Sequence, residues 1–270
     1  MKTEVSQEQI EFYRENGFLH VPGFLDSAQV EQLKEAVWDS VETLGGRKIF
    51  TANTDIKQDE TYYDRVFIQR LNLWLISDVV RGYMLDPELG RMVCQLAEVN
   101  GMRVWHDQTL IKEPFANPTS WHLDNPYWSF CSRDAISIWI ALDDATLENG
   151  CMWFIPGTHK IADFRNANIG ANMAELFGVY PEMAEIDPVP VPMKAGDCSF
   201  HNGLVAHGAG ANMTRGHRVA MTCAYMPEGA TFNGNRNILS EEMFNSLMEG
   251  DVLDNDEQNP PVYRMPATAE

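Results

Sequence analysis

The stretch SWHLDNPYW, residues 120–128, places a histidine and an aspartate two positions apart between aromatic residues. Side chains two residues apart on a β-strand point to the same face, so His122 and Asp124 could reach one cavity. An imidazole and a carboxylate are two of the three ligands of the facial triad that holds non-haem Fe(II) in oxygenases. Taken alone, the pair is more often an ordinary polar pair near a strand end. The presence of a suitable third ligand elsewhere in the chain would favour the metal site over the ordinary polar pair.

Of the seven histidines, His207 is the best candidate for the third ligand. It lies between the apolar GLVA and the glycine-rich GAGAN, which suits a strand end where two backbone segments approach closely. His201 is the alternative ligand. Eleven residues after His207, Arg218 opens the strand-like run RVAMTCAYM. An arginine entering an apolar strand is costly unless it binds an anion, and a dicarboxylate on the metal would be one. Arg215, in the polar turn NMTRG, is the less suitable arginine.

Short β-rich runs, separated by Gly, Pro, Asn and Asp turns, follow one another from Arg103 to about residue 227. This spacing predicts an antiparallel sandwich or jelly roll. A long insert at 162–187 interrupts the strands and could be a lid or substrate loop. The acidic, proline-containing segment 250–270 is expected to be an irregular strap or a loose tail.

The part before the strands is expected to be mostly helical. Ser6 with Gln9 resembles a capping box that opens a helix ending near Asn16, and FLHV predicts a short strand. Periodic apolar residues predict a second helix over 26–46. Segments 71–85 and 87–101 are predicted to be further helices. The chain shows no internal repeat and no domain linker.

Charge and cysteine content limit the classes of partner. The chain has 20 Lys and Arg against 39 Asp and Glu, a net charge of −19, which argues against nucleic acid and anionic membranes. No apolar run approaches the roughly 20 residues of a membrane span, and no signal-peptide pattern opens the sequence. The five scattered cysteines include no CxxC pair and are expected to be reduced thiols. We therefore predict a cytoplasmic location and a small-molecule partner.

Three segments occur in the order WHLDNPYW, WIALDDATLENGCMWFIPGTHK and FHNGLVAHGAGANMTRGHR. Together they resemble the phytanoyl-CoA dioxygenase family, and FYRENGFLHVPGFLDSAQVEQL is similar to that family's opening. The resemblance implies a mainly β fold with flanking helices. The expected core is a double-stranded β-helix, a cupin-like jelly roll, with helices before it. One domain would span 1–270, with a helical part at about 1–100, the β-helix at about 101–230 and a tail at about 240–270.

The resemblance also implies roles for individual residues. His122, Asp124 and His207 would ligate Fe(II), and Arg218 would bind the far carboxylate of 2-oxoglutarate through a bidentate fork. O₂ would be the second co-substrate.

Three further residues fall where relatives contact or line the 2-oxoglutarate pocket. Gln108 lies in HDQTLIKEP, Trp139 in SIWIAL and Asn72 in LNLWL. Gln108 could instead bond only to strand neighbours, and Trp139 could simply pack in the core. For Asn72 a role outside the pocket is the better interpretation.

The implied activity is oxidation of a C–H bond in a small organic molecule, coupled to conversion of 2-oxoglutarate into succinate and CO₂. Related halogenases carry a small residue in place of the carboxylate, so Asp124 favours hydroxylation or another oxidation over halogenation. Tyr127, Trp128 and the 162–187 insert could contact substrate or only pack. The alternatives are a non-catalytic metal-binding or sensor protein and a cupin-like metal isomerase or hydrolase. The latter leaves Arg218 unexplained.

Overall fold

The computed structural model describes residues 1–45, 62 and 65–266. Its first helix, α1 (Gln7–Asn16), begins at the predicted capping box, in which the Ser6 and Gln9 side chains each accept from the other's backbone N–H. Gly17 ends it with a left-handed φ of 81°, and β1 (Phe18–Val21) follows. The second helix, α2 (Ser27–Leu44), has its own capping box. These predictions are confirmed.

The prediction of one helix over 71–85 is wrong in its first half. The chain forms β2 (Ile68–Leu71) and one 3₁₀ turn before α3 (Asp78–Met84) begins; α4 (Pro87–Ala97) comes next. Asn72 adopts a left-handed φ of 55°, which an α-helix does not admit. The buried carboxylate of Asp107 then accepts from the backbone N–H groups of Leu73 and Trp74, which fixes the turn.

The larger sheet is antiparallel and seven-stranded. Besides β1 and β2, its strands are β3 (Gly101–Ile111), β5 (Ile136–Ala141), β8 (Cys198–Asn202), β10 (Ala220–Pro227) and β11 (Pro261–Arg264). The strand order is β1-β8-β5-β10-β3-β11, with β2 also paired to β3.

The smaller sheet consists of β4 (Thr119–His122), β6 (Met152–Phe154), β7 (Val189–Val191) and β9 (His207–Ala209). Its strand order is β4-β9-β6-β7, and it is also antiparallel. The two sheets share one buried apolar cluster, to which the larger contributes Phe18 and Trp139 and the smaller Met152 and Phe154. The prediction of mainly antiparallel β structure with flanking helices is confirmed.

Successive side chains of strand β5 point to opposite faces of the larger sheet. Ile136, Ile138 and Ile140 pack into the cluster that covers the helices α1 to α4, whereas Ser137 and Trp139 face the other way. Strand β10 repeats the pattern, with Met221, Cys223 and Tyr225 on the helical side and Thr222 and Ala224 opposite. The face opposite the helices therefore carries the polar side chains.

The 162–187 insert contains α5 (Glu175–Val179), and α6 (Glu241–Ser246) follows β10 in the chain. The C-terminal segment is more ordered than a loose tail. Residues 261–264 form β11, which pairs with β3, and Arg103 of β3 bonds to Asp256 and to the carbonyl of Asn259. Within the described ranges, no helix is both long and apolar enough to cross a membrane.

Candidate metal centre

The end of β4 and the start of β9 bring two histidines together. His122 and His207 are direct partners in the β4–β9 ladder, and their ring centroids lie 4.2 Å apart. Asp124 Oδ1 lies 3.5 Å from Nε2 of His122 and 3.6 Å from Nε2 of His207. One ligand atom from each of the three residues lies within 4.8 Å of the others. The structure thus brings the three predicted ligands to one point.

The alternation of side chains along a β-strand does not explain why the Asp124 carboxylate points toward the two histidines. Strand β4 ends at His122, and Asp124 follows in a helical conformation with φ −78° and ψ −49°. It opens the 3₁₀ turn Asn125–Tyr127, and the backbone N–H of Tyr127 donates to its carbonyl. The turn returns the carboxylate to the side of the His122 ring.

The two imidazoles are held in the tautomer that leaves Nε2 unprotonated. Nδ1 of His122 donates to the carbonyl of Ser120 at 2.8 Å, and Nδ1 of His207 donates to that of Val205 at 3.0 Å. Since a carbonyl can only accept, the ring proton is on Nδ1 in both. Both Nε2 lone pairs are then free to ligate a metal.

Burial lowers the pKa of His207 to about 3, with a further contribution from the neighbouring His122, so the ring is neutral near pH 7. Burial alone would raise the pKa of Asp124. The rings of His207, His122 and His201 outweigh it and place the pKa well below the usual range. Imidazole nitrogens beside an ionised carboxylate make a donor set that fits a divalent transition metal.

His201, weighed as a rival ligand, has a different position. Its Nε2 lies 3.2 Å from Oδ2 of Asp124, the oxygen that also accepts from Ser137 Oγ at 3.3 Å. Because an ionised carboxylate only accepts, His201 Nε2 must carry the proton and has no lone pair for a metal. Oδ1 of Asp124 therefore faces the histidine pair, while Oδ2 is held by His201 and Ser137.

We expect His201→Phe to weaken iron binding about 10- to 100-fold, the usual cost of losing a partner that orients a ligand. His201→Gln should retain most of the affinity, because the amide can still donate to Asp124. Iron titration of both variants checks this. Equal loss in the two variants would contradict a role that rests on donation to Asp124.

A cavity of about 470 Å³ opens from these residues, and Arg218 lies at one end of it. The side chain is 1% exposed. Its Nη1 donates to the carbonyl of Leu110 at 3.3 Å, its Cζ lies 5.1 Å from the Trp139 ring centroid, and its Nε has no hydrogen-bond partner. Burial lowers the pKa of Arg218 to about 10, so it stays charged near pH 7.

Arg218 forms no ion pair with a carboxylate of the described residues, and the nearby Asp143 is paired with Lys34 instead. A buried cation that lacks a counter-charge is strongly unfavourable. A carboxylate of a bound dicarboxylic acid fits this end of the cavity.

The other predicted pocket residues fall into two groups. Gln108 and Trp139 both line the cavity, and Gln108 Oε1 accepts from Gln69 Nε2 at 2.5 Å. Asn72 is buried in the left-handed position before the 3₁₀ turn and is not among the lining residues. The structure gives the pocket role of Asn72 no support.

Sequence reasoning missed Ser137, His106 and Asn237, which also line the cavity. Alternation along β5 could have found Ser137, since it shares a face with Trp139. His106 and Gln108 are likewise two apart on β3. Burial lowers the pKa of His106 to about 4, and its Nδ1 is buried without a hydrogen-bond partner. Nothing local in the sequence marks Asn237.

The 162–187 insert touches the site. Tyr127 OH donates to the carbonyl of Ala167, and Gly170 N donates to Ser120 Oγ at 3.2 Å. Asn168 and Ile169 consequently line the cavity together with Tyr127 and Trp128.

Comparisons with known proteins agree with this chemistry. A model of the phytanoyl-CoA dioxygenase (PhyH) family matches residues 13–220. A phytanoyl-CoA dioxygenase domain-containing protein 1 homologue of Caenorhabditis briggsae is 31% identical over 269 residues, covering 85% of this chain and 93% of its own. The human peroxisomal phytanoyl-CoA dioxygenase is 25% identical over 236 residues, covering 81% and 67%.

Solved structures give the same class. SnoK, a non-haem alpha-ketoglutarate-dependent carbocyclase from nogalamycin biosynthesis, superposes with a TM-score of 0.78 at 30% identity, over 96% of each chain. The second structure is the epimerase SnoN in complex with Fe³⁺, alpha-ketoglutarate and nogalamycin RO. It superposes with a TM-score of 0.72 at 27% identity, over 95% of this chain and 98% of its own. Alpha-ketoglutarate is 2-oxoglutarate.

The cofactors are therefore iron and 2-oxoglutarate, and the protein is a 2-oxoglutarate-dependent dioxygenase. With more than half of its length matched by the family model, the chain belongs to the phytanoyl-CoA dioxygenase family.

Proposed function

We propose that the enzyme hydroxylates, or otherwise oxidises, a C–H bond of a small organic molecule and couples this to decarboxylation of 2-oxoglutarate to succinate and CO₂. The observation that carries the proposal is the joint lining of one cavity by His122, Asp124, His207 and the buried Arg218. The same type of centre supports a carbocyclase in SnoK, so oxidations other than hydroxylation are included.

In this proposal the chain holds iron through Nε2 of His122, Nε2 of His207 and Oδ1 of Asp124. Arg218 binds the far carboxylate of 2-oxoglutarate, and Trp139 and Gln108 line the same part of the cavity. When bound, iron and 2-oxoglutarate would supply the electrons that activate O₂, which is the oxidant of the reaction. His201 and Ser137 hold Oδ2 of Asp124, so this carboxylate would offer the metal only Oδ1.

We also propose that the two sheets form a double-stranded β-helix and that 1–270 is a single domain. The shared cluster between the sheets and the pairing of β11 with β3 support this arrangement. The cytoplasmic location stays a prediction from the cysteine content.

The test is formation of succinate from 2-oxoglutarate by the iron-loaded enzyme, measured with a panel of small organic substrates. We expect succinate to require Fe(II) and O₂ and to rise with one class of substrate, whose product gains oxygen or loses hydrogen. Substrate conversion that continues without O₂ or without 2-oxoglutarate would contradict the proposal.

A further inference from the structure

The cavity has two ends that differ in charge. Arg218 precedes β10, whereas Ala224 lies farther along β10, opposite Ser137 of β5. Ser137 bonds to Asp124, so the metal residues lie level with Ala224. The part of the cavity between them and Arg218 suits 2-oxoglutarate, and the part beyond them is left for substrate.

That remaining part is bounded by a surface we call the substrate wall, made of Tyr127, Trp128, Asn237 and Ile238. Trp128 and Ile238 are buried members of one apolar cluster, and Tyr127 packs against it. Trp128 is further fixed by a T-shaped contact with the His106 ring at 6.3 Å.

Asn237 is the polar group of the wall, and its orientation is fixed. Its Oδ1 accepts from Nε1 of the buried Trp105 at 3.2 Å. Because an indole N–H can only donate, the oxygen must face Trp105, and the two N–H bonds of Nδ2 are left for another acceptor.

No charged side chain of the described residues lines the cavity apart from Arg218, Asp124 and the histidines. An ion buried beside the wall would meet no counter-charge from the described residues of the wall, which is unfavourable. The net charge of −19 also disfavours a polyanionic substrate. The cavity volume of about 470 Å³ is shared by 2-oxoglutarate and the substrate, which limits the substrate to a small molecule.

We propose, resting on the proposed function, that the substrate is an uncharged molecule with an apolar ring face and an acceptor oxygen. The ring face packs on Trp128 and Ile238, and the oxygen, a carbonyl or hydroxyl, accepts from Asn237 Nδ2. A charged acyl thioester is not the substrate class.

The test uses enzyme loaded with Mn(II) and saturated with 2-oxoglutarate without O₂, so that binding is measured without turnover. Isothermal titration calorimetry compares three probes of similar shape: 2-acetylnaphthalene, 2-naphthoate and 2-naphthylmethylammonium. We expect the neutral ketone to bind at least tenfold more tightly than either ion. Equal or tighter binding of 2-naphthoate, or no binding of the ketone, would overturn the proposal.

Asn237→Asp makes the assignment residue-specific. Aspartate can still accept from Trp105 and tolerates the positive φ of 40° at this position, so the fold should be retained. We expect the ketone to lose at least tenfold in affinity and the ammonium probe to gain, with 2-oxoglutarate affinity unchanged. Unaltered affinities for the three probes would remove Asn237 from the substrate wall.

Binding of 2-oxoglutarate is measured first, without any probe, in the same experiment. Its absence would count against the proposed function. Its presence together with failure of the ketone would count against the substrate class alone.

Discussion

Asp124→Ala is expected to lower iron affinity and substrate-dependent succinate formation by at least about 100-fold. Loss of a partner that merely orients a ligand costs about 10- to 100-fold, and Asp124 is proposed as a ligand itself. The change also removes the acceptor for His201 and Ser137. Metal analysis of the purified protein and Fe(II) titration measure the first effect independently of activity.

The control for this prediction is Asp134→Ala, which removes an exposed carboxylate ten residues away in sequence and should leave iron content unchanged. Asp124→Asn keeps the shape of the side chain but not its charge, and we expect it also to lose iron. Full iron occupancy in both Asp124 variants would show that the carboxylate is not a ligand.

Arg218→Met is expected to raise the KM for 2-oxoglutarate while leaving iron affinity close to that of the unmodified chain. Truncating one partner of a buried charge pair costs about 2–5 kcal/mol, which corresponds to a rise of roughly 30-fold or more. Steady-state assays at varied 2-oxoglutarate concentration give the KM, and calorimetry gives the binding constant without turnover.

Thermal unfolding separates this binding role from a structural one. A ligand that binds only the folded state raises the unfolding midpoint, so 2-oxoglutarate should stabilise the unmodified protein and not Arg218→Met. Without 2-oxoglutarate the midpoint of the variant should not fall, because methionine replaces a buried charge that has no carboxylate partner among the described residues. Arg215→Met, an exposed change in the neighbouring turn, is the matched control. An unchanged KM would exclude Arg218 from co-substrate binding.

The candidate metal residues could be predicted from the sequence because their types are few and their order is informative. The reason given for Asp124 was nevertheless wrong, since β4 stops at His122 and a 3₁₀ turn carries the carboxylate. The sequence favoured His207 over His201 as the ligand, but it could not show what His201 does instead. The ring proton of His207 is fixed locally by the carbonyl of Val205, whereas that of His201 is fixed by Asp124, which is distant in the chain.

One prediction failed and another was incomplete, each for an identifiable physical reason. Segment 71–85 has the composition of a helix, but a distant carboxylate, Asp107, stabilises a turn at its start. The last strand, residues 261–264, is short, and its pairing with β3 is accompanied by polar bonds from Arg103 that no local pattern shows. Both depend on contacts between residues far apart in the chain.

The alternation along β5 and β10 has a consequence for protein engineering. Stability depends on the odd positions 221, 223 and 225 of β10 and on the even positions 136, 138 and 140 of β5, whose side chains pack on the helices. The interleaved positions 137, 139, 222 and 224 face the cavity. Combinatorial libraries confined to 222 and 224, beside an unaltered Asp124 and Arg218, would vary cavity shape while sparing the cluster that packs on the helices. Along these two strands, the cavity lining and the packing against the helices can thus be changed at alternate positions of the sequence.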